Sequence, residues 1–361
     1  MEQSFFDNKN NYESIDCWVN DNHITRLFVV CGNTFKHLTG ISNKIYELED
    51  KGIEIIFFSD YSPNPVYESV VNGVDLFKKS HADGIIAIGG GSAMDVAKCI
   101  KIYSSMVNTP FMAIPTTAGT GSESTKFAVY YKDGVKQGLT DERCIPDAVL
   151  FDHGVLKALP MYQRKATMCD ALCHGIESFW SVNSTDESKE YSALAIKEIL
   201  KNMDGYLNNT DEGNEGMLKA SNIAGQAINI AQTTAGHAMC YKITSLFGIS
   251  HGHAAMLCDR VLFPEMLKNT DKCIDVRGED YLKTLFDEIS NAFGVEKIED
   301  AVRKFDEIFE KLELDIPVAS DGELNELACS VNAERLKNHP LKLNEDDLRE
   351  LYKQILKVER I

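Results

Sequence analysis

The chain is 361 residues long, and that length favours two domains over a single hydrophobic core. Its 44% apolar and 25% charged residues are typical of a globular protein. The formal net charge of −18, with no basic patch, argues against nucleic acid or an anionic membrane surface as a partner.

The sequence gives no sign of membrane insertion, secretion or disulfide bonding. No run approaches the roughly 18 apolar residues of a membrane-spanning helix, and the first eleven residues lack the apolar core of a signal peptide. The ten cysteines form no CxxC pair. Several lie in apolar runs, where a reduced and buried thiol is expected, namely Cys31, Cys99, Cys169, Cys173 and Cys240. We therefore expect a cytoplasmic protein.

Up to about residue 150, short apolar runs alternate with stretches of helical periodicity. Residues 1–23 carry no clear period. The predicted strands are 27–31, 53–58, 84–88, 111–114 and 148–151, and the predicted helices are 35–51, 66–80 and 93–103. This alternation indicates a parallel sheet with crossover helices.

Two loops at the carboxyl ends of predicted strands have the composition of a phosphate-binding site. Gly89-Gly90-Gly91-Ser92 lies between a strand and a helix N-terminus, where backbone N–H groups and the positive helix end attract phosphate. Residues 115–123 follow the next strand and are rich in glycine and hydroxyl groups. A plain glycine turn and two polar surface loops are the alternatives. We favour a nucleotide site, because such sites lie at the carboxyl ends of neighbouring strands.

Beyond residue 154 the pattern is helical. The predicted helices are 162–182, 187–206, 214–233 and 237–247, followed by a charged helical tail from about residue 278. No strand stands out in this half. We therefore predict an α/β domain at 1–154, with a parallel sheet that binds a dinucleotide, and an all-helical domain at 155–361.

The helix predicted at 162–182 carries a possible metal site. Asp170 and His174 stand four residues apart, so their side chains leave one face of the helix. Taken alone, this spacing is more commonly explained by a hydrogen bond between the two. Three further histidines, His237, His251 and His253, fall within 19 residues. Carboxylates and imidazoles are ligands of divalent iron or zinc, so the two clusters could close around one catalytic ion.

The motifs together resemble the iron-containing (group III) alcohol dehydrogenases over nearly the full length. The matching segments read GGGSAMDVAK at 89–98, IPTTAGTGSE at 114–123, DALCHGIE at 170–177, GHA at 236–238 and HG at 251–252. The resemblance implies a dinucleotide-binding α/β domain, a helical domain that binds the metal, and an active site in the cleft between them.

The resemblance also implies which residues serve each group. The ligands of a divalent iron or zinc ion would be Asp170, His174, His237 and His251. His253 would lie beside them or in the substrate pocket. NADH or NADPH would contact Gly90, Gly91 and Ser92 at the pyrophosphate, Thr116, Thr117 and Thr120 at the nicotinamide side, and Asn64 and Lys136 at the adenine and ribose end.

Two positions depart from the family pattern. Many members that prefer NAD place an aspartate just after the first strand, and here that position is Gly32. Without a carboxylate to repel the 2′-phosphate, NADPH is acceptable as well as NADH. Tyr241 stands four residues after His237, where many members have another histidine. Tyr241 either donates a proton from its hydroxyl near the metal or simply packs.

The segment 179–189, together with Tyr241 and Lys242, resembles the phosphonoacetaldehyde reductases, a smaller branch of the family. That likeness implies reduction of phosphonoacetaldehyde to 2-hydroxyethylphosphonate. Donors for an anionic group are available in Ser181, Asn183, Ser184, Lys242 and Arg143. Alternatively, 183–186 is only a helix end followed by an N-cap, and Lys242 is a surface charge.

Other functions stay open at this level. A general short-chain alcohol or lactaldehyde (1,2-diol) dehydrogenase would carry the same motifs. A lyase resembling dehydroquinate synthase would use NAD transiently with a different ligand set, and the order Asp-x3-His, His, His fits the dehydrogenase better. A non-catalytic binding protein would be expected to lack a ligand, and all four positions are filled. The family often forms dimers or larger assemblies, so the resemblance allows a homodimer, and no residue of the sequence points to one assembly over another.

Overall fold

The computed structural model describes residues 3–359, with the backbone alone for residues 9 and 10. The chain divides into two compact units, Met1–Leu159 and Pro160–Ile361. The division lies five residues beyond the boundary expected at residues 154 and 155. None of the helices within the described range has the length and apolar character that crossing a membrane requires.

The first unit contains eight strands and four α-helices in its described part. In chain order they are β1 (Ser4–Asp7), α1 (Lys9–Asp21), β2 (Arg26–Cys31), α2 (Thr39–Asp50), β3 (Glu54–Phe58), α3 (Tyr67–Ser80), β4 (Gly84–Gly89), α4 (Gly91–Tyr103), β5 (Phe111–Pro115), β6 (Phe127–Lys132), β7 (Val135–Thr140) and β8 (Ala148–Phe151). Six strands form one parallel sheet in the order β1-β8-β5-β4-β2-β3, which confirms the predicted sheet.

The central strands are apolar along their whole length because helices cover both faces of a sheet of this kind. All five residues of β5 are buried, as are five of the six residues in β2 and in β4. Within this core the Phe28 ring stacks on Phe58 at 6.0 Å between centroids and meets Phe77 edge to face at 5.1 Å. Continuous apolar runs are therefore what identified these strands in the sequence.

Three features of the first unit were not predicted. Residues 4–21, where no period is apparent, form the edge strand β1 and the helix α1. The strands β6 and β7 form an antiparallel hairpin whose turn is Asp133-Gly134, both with positive φ. The helix predicted to begin at residue 35 begins at Thr39, because residues 33–37 form a 3₁₀ turn.

The second unit is helical, as predicted. Its elements are α5 (Met161–Trp180), α6 (Asp186–Leu207), α7 (Asp211–Ala231), α8 (Ala235–Phe247), α9 (His251–Lys268), α10 (Glu279–Phe293), α11 (Ile298–Leu312), β9 (Val318–Ala319), α12 (Asp321–Ser330), α13 (Ala333–Leu336), α14 (Glu345–Ile355) and β10 (Lys357–Val358). The two short strands β9 and β10 pair in parallel and are the strands of this unit within the described residues.

Helix α5 is the centre of the second unit. Every residue from 168 to 180 is buried, so polar side chains on this helix are enclosed together with apolar ones. An enclosed carboxylate or imidazole is costly unless a partner compensates it. The polar residues of α5 are therefore the first place to look for a functional site.

Candidate functional site

Asp170 and His174 lie on one face of α5, as their spacing predicts. Both side chains are almost fully enclosed, and Asp170 Oδ1 lies 3.9 Å from His174 Nε2. Two other elements bring further imidazoles to the same point. His237, in the first turn of α8, places Nε2 3.4 Å from Asp170 Oδ1, and its ring stacks on His174 at 4.6 Å between centroids.

His251 completes the cluster as the first residue of α9. Its Nε2 lies 3.9 Å from Asp170 Oδ1, and its side chain is 35% exposed, against 2% for His237. The close approach of α9 to α5 depends on Gly252, where an added Cβ would lie 2.1 Å from the Ala166 carbonyl oxygen. The structure thus brings together all four residues expected as metal ligands: Asp170, His174, His237 and His251.

The geometry of this cluster fits a divalent iron or zinc ion. A tetrahedral ion with metal–ligand distances of about 2.1 Å separates its ligand atoms by about 3.4 Å, close to the 3.4 to 3.9 Å found around Asp170 Oδ1. Asp170 Oδ1 and His237 Nε2 are buried and have no hydrogen-bond partner among the described residues. Buried polar atoms without partners are rare, and a shared cation would satisfy both.

Glu177, seven residues after Asp170, holds His237 in place. Its carboxylate accepts from His237 Nδ1, from the His237 backbone N–H at 3.1 Å and from the Thr234 hydroxyl at 2.8 Å. The Thr234 hydroxyl in turn accepts from Trp180 Nε1 at 2.9 Å. A proton on Nδ1 leaves Nε2 of the neutral ring as the ligand atom, which is how a carboxylate orients a metal-bound histidine.

Glu177 was not predicted as a site residue from the sequence. The signal was present, because positions 170, 174 and 177 follow the i, i+4, i+7 spacing of one helix face. A glutamate on the same helix face as two expected ligands is a candidate to contact the metal site. Glu177 is completely buried, so its charge must be compensated by the groups around it.

The charges of the cluster favour a cation at its centre. Burial alone would raise the pKa of Glu177, but the imidazole of His237 and its hydrogen bonds lower that pKa to about 2. Burial would lower the pKa of His237, yet Glu177 and Asp170 raise it to about 10. The pKa of Asp170 lies below its usual range, because the three histidines outweigh burial. The two carboxylates thus hold positive charge between them, which a divalent ion would supply.

A second enclosed acid, Asp259 of α9, lies behind Glu177. Neither of its carboxyl oxygens has a hydrogen-bond donor among the described residues. Burial and then the charge of Glu177 raise the pKa of Asp259 well above its ordinary value. A Cβ at Gly236 would lie 2.0 Å from Asp259 Oδ1 and 2.7 Å from Glu177 Oε1, so only glycine fits beside the pair.

Two further residues, Tyr241 and His253, were expected near the ligands. Tyr241 lies against the cluster and His253 does not. Tyr241 stacks on His251 with 5.1 Å between ring centroids, and its hydroxyl accepts from Nη1 of Arg335 at 2.9 Å. Burial raises the pKa of Tyr241 above its usual range. His253 is buried with Nδ1 3.2 Å from the Tyr162 hydroxyl. Two residues along a helix turn a side chain by about 200°, so His253 faces away from His251.

The expected anion donors are occupied by internal partners. The Ser181 hydroxyl donates to the Ala231 carbonyl at 2.6 Å, and Asn183 donates to Asn338 at 2.9 Å. The helix-end alternative accounts for this segment, because Thr185 caps α6 in a capping box with Ser188. The structure does not place these residues against the cluster.

The three other candidates are also engaged. Lys242 pairs with Glu326 at 2.6 Å, and Arg143, which lies in the first unit, pairs with Asp141 at 2.5 Å. The Ser184 hydroxyl accepts from Arg277 at 3.1 Å. A different cation, Arg335, contacts Tyr241 beside the cluster, and it was not among the residues singled out in the sequence.

In the first unit, the glycine-rich loop after β4 lies at the point where the strand order reverses. The chain passes from β2 outward to β3 and then returns to β4 on the other side of β2, which makes β2 and β4 the switch point of the sheet. Gly32 follows β2, and Gly90 follows β4. Ligands of open α/β sheets bind outside the carboxyl ends of strands at such a point.

The loops after β4 and β5 pack against each other through glycine. A Cβ at Gly90 would lie 3.1 Å from the Thr117 hydroxyl, and one at Gly91 would lie 3.0 Å from the Thr120 methyl group. The N-cap residue of α4 is Gly90, which has no side chain to cap the helix. Its first backbone N–H groups, with Ser92 beside them, therefore suit the pyrophosphate of a dinucleotide.

Lys98, which the sequence analysis did not single out, ties the second loop to α4. Its buried ammonium donates to the Ser122 and Thr125 carbonyl oxygens, at 2.5 and 2.7 Å, and to the Phe127 carbonyl oxygen at 2.8 Å. Thr116 joins the loops through a backbone bond from its N–H to the Gly89 carbonyl oxygen at 3.0 Å.

The residues expected at the adenine and ribose end have distinct surroundings. Asn64 is exposed and adopts a left-handed conformation with φ of 57°. Lys136 lies on β7, and its charge acts on Asp95 of α4. Their assignment to the cofactor stays a prediction.

Comparisons with known proteins agree for both units. The family model "Iron-containing alcohol dehydrogenase" matches residues 4–153, and the model for the C-terminal part of the Fe-containing alcohol dehydrogenase family matches residues 165–356. An iron-containing alcohol dehydrogenase from Thermococcus thioreducens has the same fold, with a TM-score of 0.86 at 19% identity over 98% of both chains.

Two characterised relatives have similar sequences. The NAD-dependent methanol dehydrogenase of Bacillus methanolicus is 29% identical over 66% of this chain and 67% of its own length. The phosphonoacetaldehyde reductase of Streptomyces viridochromogenes is 30% identical over 59% of this chain. The match spans 61% of the length of that second relative, so similarity to it covers only part of the protein.

Proposed function

Because the chain belongs to the iron-containing alcohol dehydrogenase family, whose members are oxidoreductases that use NAD(H) and a divalent metal, we propose that it reduces a small aldehyde to a primary alcohol. The observation that carries this proposal is the cluster of Asp170, His174, His237 and His251, with two buried ligand atoms facing one point. These four residues would hold divalent iron or zinc. When bound, the ion supplies Lewis-acid polarisation of a carbonyl, and the nicotinamide supplies hydride.

The residues of the cluster prepare this chemistry in three ways. Glu177 fixes the tautomer of His237, so that Nε2 is available as a ligand without a competing proton. Asp170 contributes one negative charge among three neutral imidazoles, which leaves a divalent ion with net positive charge toward a developing alkoxide. The exposure of His251 marks the side of the cluster that a substrate can reach.

The substrate we propose is phosphonoacetaldehyde, with 2-hydroxyethylphosphonate as the product. The support is the likeness of segment 179–189 and Tyr241-Lys242 to that branch, and a relative of this activity at 30% identity. A general short-chain alcohol or 1,2-diol dehydrogenase is the second candidate. It is favoured by the methanol dehydrogenase relative, which is 29% identical.

Both nicotinamide cofactors fit the proposal. Gly32 follows β2 at the switch point, where a carboxylate would accept from the ribose of NADH and repel the 2′-phosphate of NADPH. Its φ of −86° is accessible to any residue, so glycine is not required there by the backbone. We expect both NADH and NADPH to be oxidised. The cytoplasmic location and the homodimer stay predictions.

The proposal is tested by following NADH and NADPH oxidation by iron-loaded protein under anaerobic conditions. The aldehydes are phosphonoacetaldehyde, propanal, glycolaldehyde and lactaldehyde. We expect kcat/KM for phosphonoacetaldehyde to exceed the others by at least roughly tenfold, about 1.4 kcal/mol of discrimination. Similar kcat/KM values for all four aldehydes would favour the general short-chain alcohol dehydrogenase over the phosphonoacetaldehyde reductase. Absence of any cofactor oxidation with all four aldehydes would overturn the reductase itself.

A further inference from the structure

An arginine stands beside the metal cluster, linked to it through one aromatic ring. Arg335 of α13 donates from Nη1 to the Tyr241 hydroxyl at 2.9 Å, and its guanidinium carbon lies 4.9 Å from the centre of that ring. Tyr241 stacks on His251, with ring centroids 5.1 Å apart and planes 15° from parallel. The guanidinium therefore lies no more than about 10 Å from the His251 ring.

Arg335 is not neutralised by a carboxylate, although the chain has a formal net charge of −18. No Asp or Glu among the described residues lies within ion-pair distance of its guanidinium. The arginines at positions 26, 143, 260, 277, 303 and 349 each pair with an acidic side chain. In so acidic a protein, a half-buried guanidinium that keeps its charge uncompensated is available to an anion from outside the chain.

The lysines nearest in sequence to Tyr241 and Arg335, unlike Arg335, are paired with carboxylates. Lys242, next to Tyr241, pairs with Glu326 at 2.6 Å, and Lys337, two residues after Arg335, pairs with Glu334 at 2.7 Å. Each forms an ion pair that lowers its attraction for a further anion. Arg335 is accordingly the cation of this neighbourhood that a substrate can engage.

We propose that Arg335 binds the anionic group of the substrate, an inference that rests on the proposed function. The substrate class is a short aldehyde that ends in a tetrahedral oxyanion, either phosphonate or sulfonate. A guanidinium has five N–H donors in a planar fork, and one of them is used on Tyr241, so two can still grip such a group side by side. The aldehyde end of the same molecule, about 5 Å away along three to four bonds, would point to the cluster.

This arrangement gives Tyr241 a positioning role. Its hydroxyl accepts from Arg335, and its ring lies against both the guanidinium and His251. The stacked Tyr241 ring fixes the distance between the Arg335 guanidinium and the cluster. That distance restricts the length of a substrate that can contact both. A short aldehyde with a charged head offers an oxyanion to the guanidinium, whereas propanal offers none.

The test compares Arg335→Gln and Arg335→Lys with wild type in iron-loaded protein with saturating NADH. The substrates are phosphonoacetaldehyde, sulfoacetaldehyde and propanal. For Arg335→Gln we expect kcat/KM to fall roughly 100-fold on the two anionic aldehydes, mainly through KM, and to change less than about threefold on propanal. Arg335→Lys keeps a charge but loses the fork, so an intermediate loss is expected. The control Lys337→Gln removes a nearby charge and should change all three substrates by less than about threefold.

Two results would overturn the inference while leaving the aldehyde reductase intact. One is an equal loss on charged and neutral aldehydes, which would mark Arg335 as structural. The other is no loss at all on the charged ones. A larger loss on phosphonoacetaldehyde than on sulfoacetaldehyde, or the reverse, identifies which oxyanion the site holds.

If wild type reduces none of the aldehydes, the proposed function fails and a binding measurement decides about Arg335 separately. Calorimetry with 2-hydroxyethylphosphonate and iron-loaded protein supplies it. We expect binding to wild type and at least roughly tenfold weaker binding to Arg335→Gln. Equal affinity, or no binding to either, would reject the anion site.

Discussion

At the scale of single residues, the pair Glu177 and Asp259 shows how enclosed carboxyl groups share one negative charge. Glu177 faces the positive side of His237, so its pKa is lowered to about 2 despite burial. Asp259 has no such partner, and burial together with the charge of Glu177 raises its pKa. The pKa values of the two acids are thus moved in opposite directions, and a proton is held more strongly by Asp259 than by Glu177.

The raised pKa of Asp259 makes folding stability depend on pH. Between its unfolded value near 3.8 and its higher folded value, the folded chain binds one proton more than the unfolded chain. Stability is then lost as pH rises through that window, at up to about 1.4 kcal/mol per pH unit. Asparagine cannot titrate, so Asp259→Asn should gain stability over wild type by roughly 1–3 kcal/mol more at pH 8 than at pH 5.

Urea unfolding of the metal-free protein at the two pH values measures this difference. The exposed Asp287→Asn serves as the control and should show no gain that grows with pH. A difference between Asp259→Asn and wild type that is the same at pH 5 and pH 8 would mean that Asp259 is ionised in the fold.

These two acids also mark how far sequence reasoning reaches. Glu177 shares a helix stripe with Asp170 and His174, so its place near the ligands follows from helix geometry. Asp259 comes from α9, and nothing in its neighbours along the chain signals that it packs behind Glu177. Arg335 was missed for the same reason, because its contact with Tyr241 joins residues 94 positions apart.

At the scale of elements, the cluster depends on the contact between α5 and α9. Gly252 sits where a Cβ would lie 2.1 Å from the Ala166 carbonyl oxygen and 2.6 Å from the Asp170 Cβ. Both atoms belong to the framework of α5 rather than to a flexible side-chain end. His251, the neighbour of Gly252, therefore reaches Asp170 only as long as position 252 carries no side chain.

Gly252→Ala should push α9 away from α5. We expect a loss of roughly 1–3 kcal/mol of stability, as for other overpacked sites, and at least roughly tenfold weaker iron binding because His251 moves from Asp170. Thermal unfolding measures the loss of stability, and an anaerobic iron titration measures the iron affinity. Gly322→Ala on α12 is the matched control, since its Cβ would meet nothing closer than 3.9 Å. Wild-type iron affinity in Gly252→Ala would show that the helix contact does not set the site.

The elements themselves were predicted with uneven success, for physical reasons. The central strands β2, β4 and β5 were found because burial on both faces makes them continuous apolar runs. The hairpin β6–β7 is only partly buried, and its Asp133-Gly134 turn was the overlooked signal. Helix α9 was not predicted, since Gly252 and Pro264 both weaken a helical pattern.

At the scale of the whole molecule, the two units contain different candidate sites. The glycine and threonine loops expected to hold the dinucleotide belong to Met1–Leu159. The four expected metal ligands, Glu177 and Arg335 belong to Pro160–Ile361. The family was predictable from the sequence motifs. The substrate contacts were not, because the side chains expected to make them are held by other residues of the chain.

We propose that one divalent ion at Asp170, His174, His237 and His251 makes this protein an aldehyde reductase. The most direct measurement is an anaerobic titration of metal-free protein with ferrous iron while NADH oxidation by phosphonoacetaldehyde or propanal is followed. We expect activity to rise in proportion to iron and to stop at about one ion per chain. Asp170→Ala should stay folded and below roughly 1% of wild-type activity at any iron concentration. Activity independent of iron, or near-normal turnover by Asp170→Ala with stoichiometric iron, would contradict the claim.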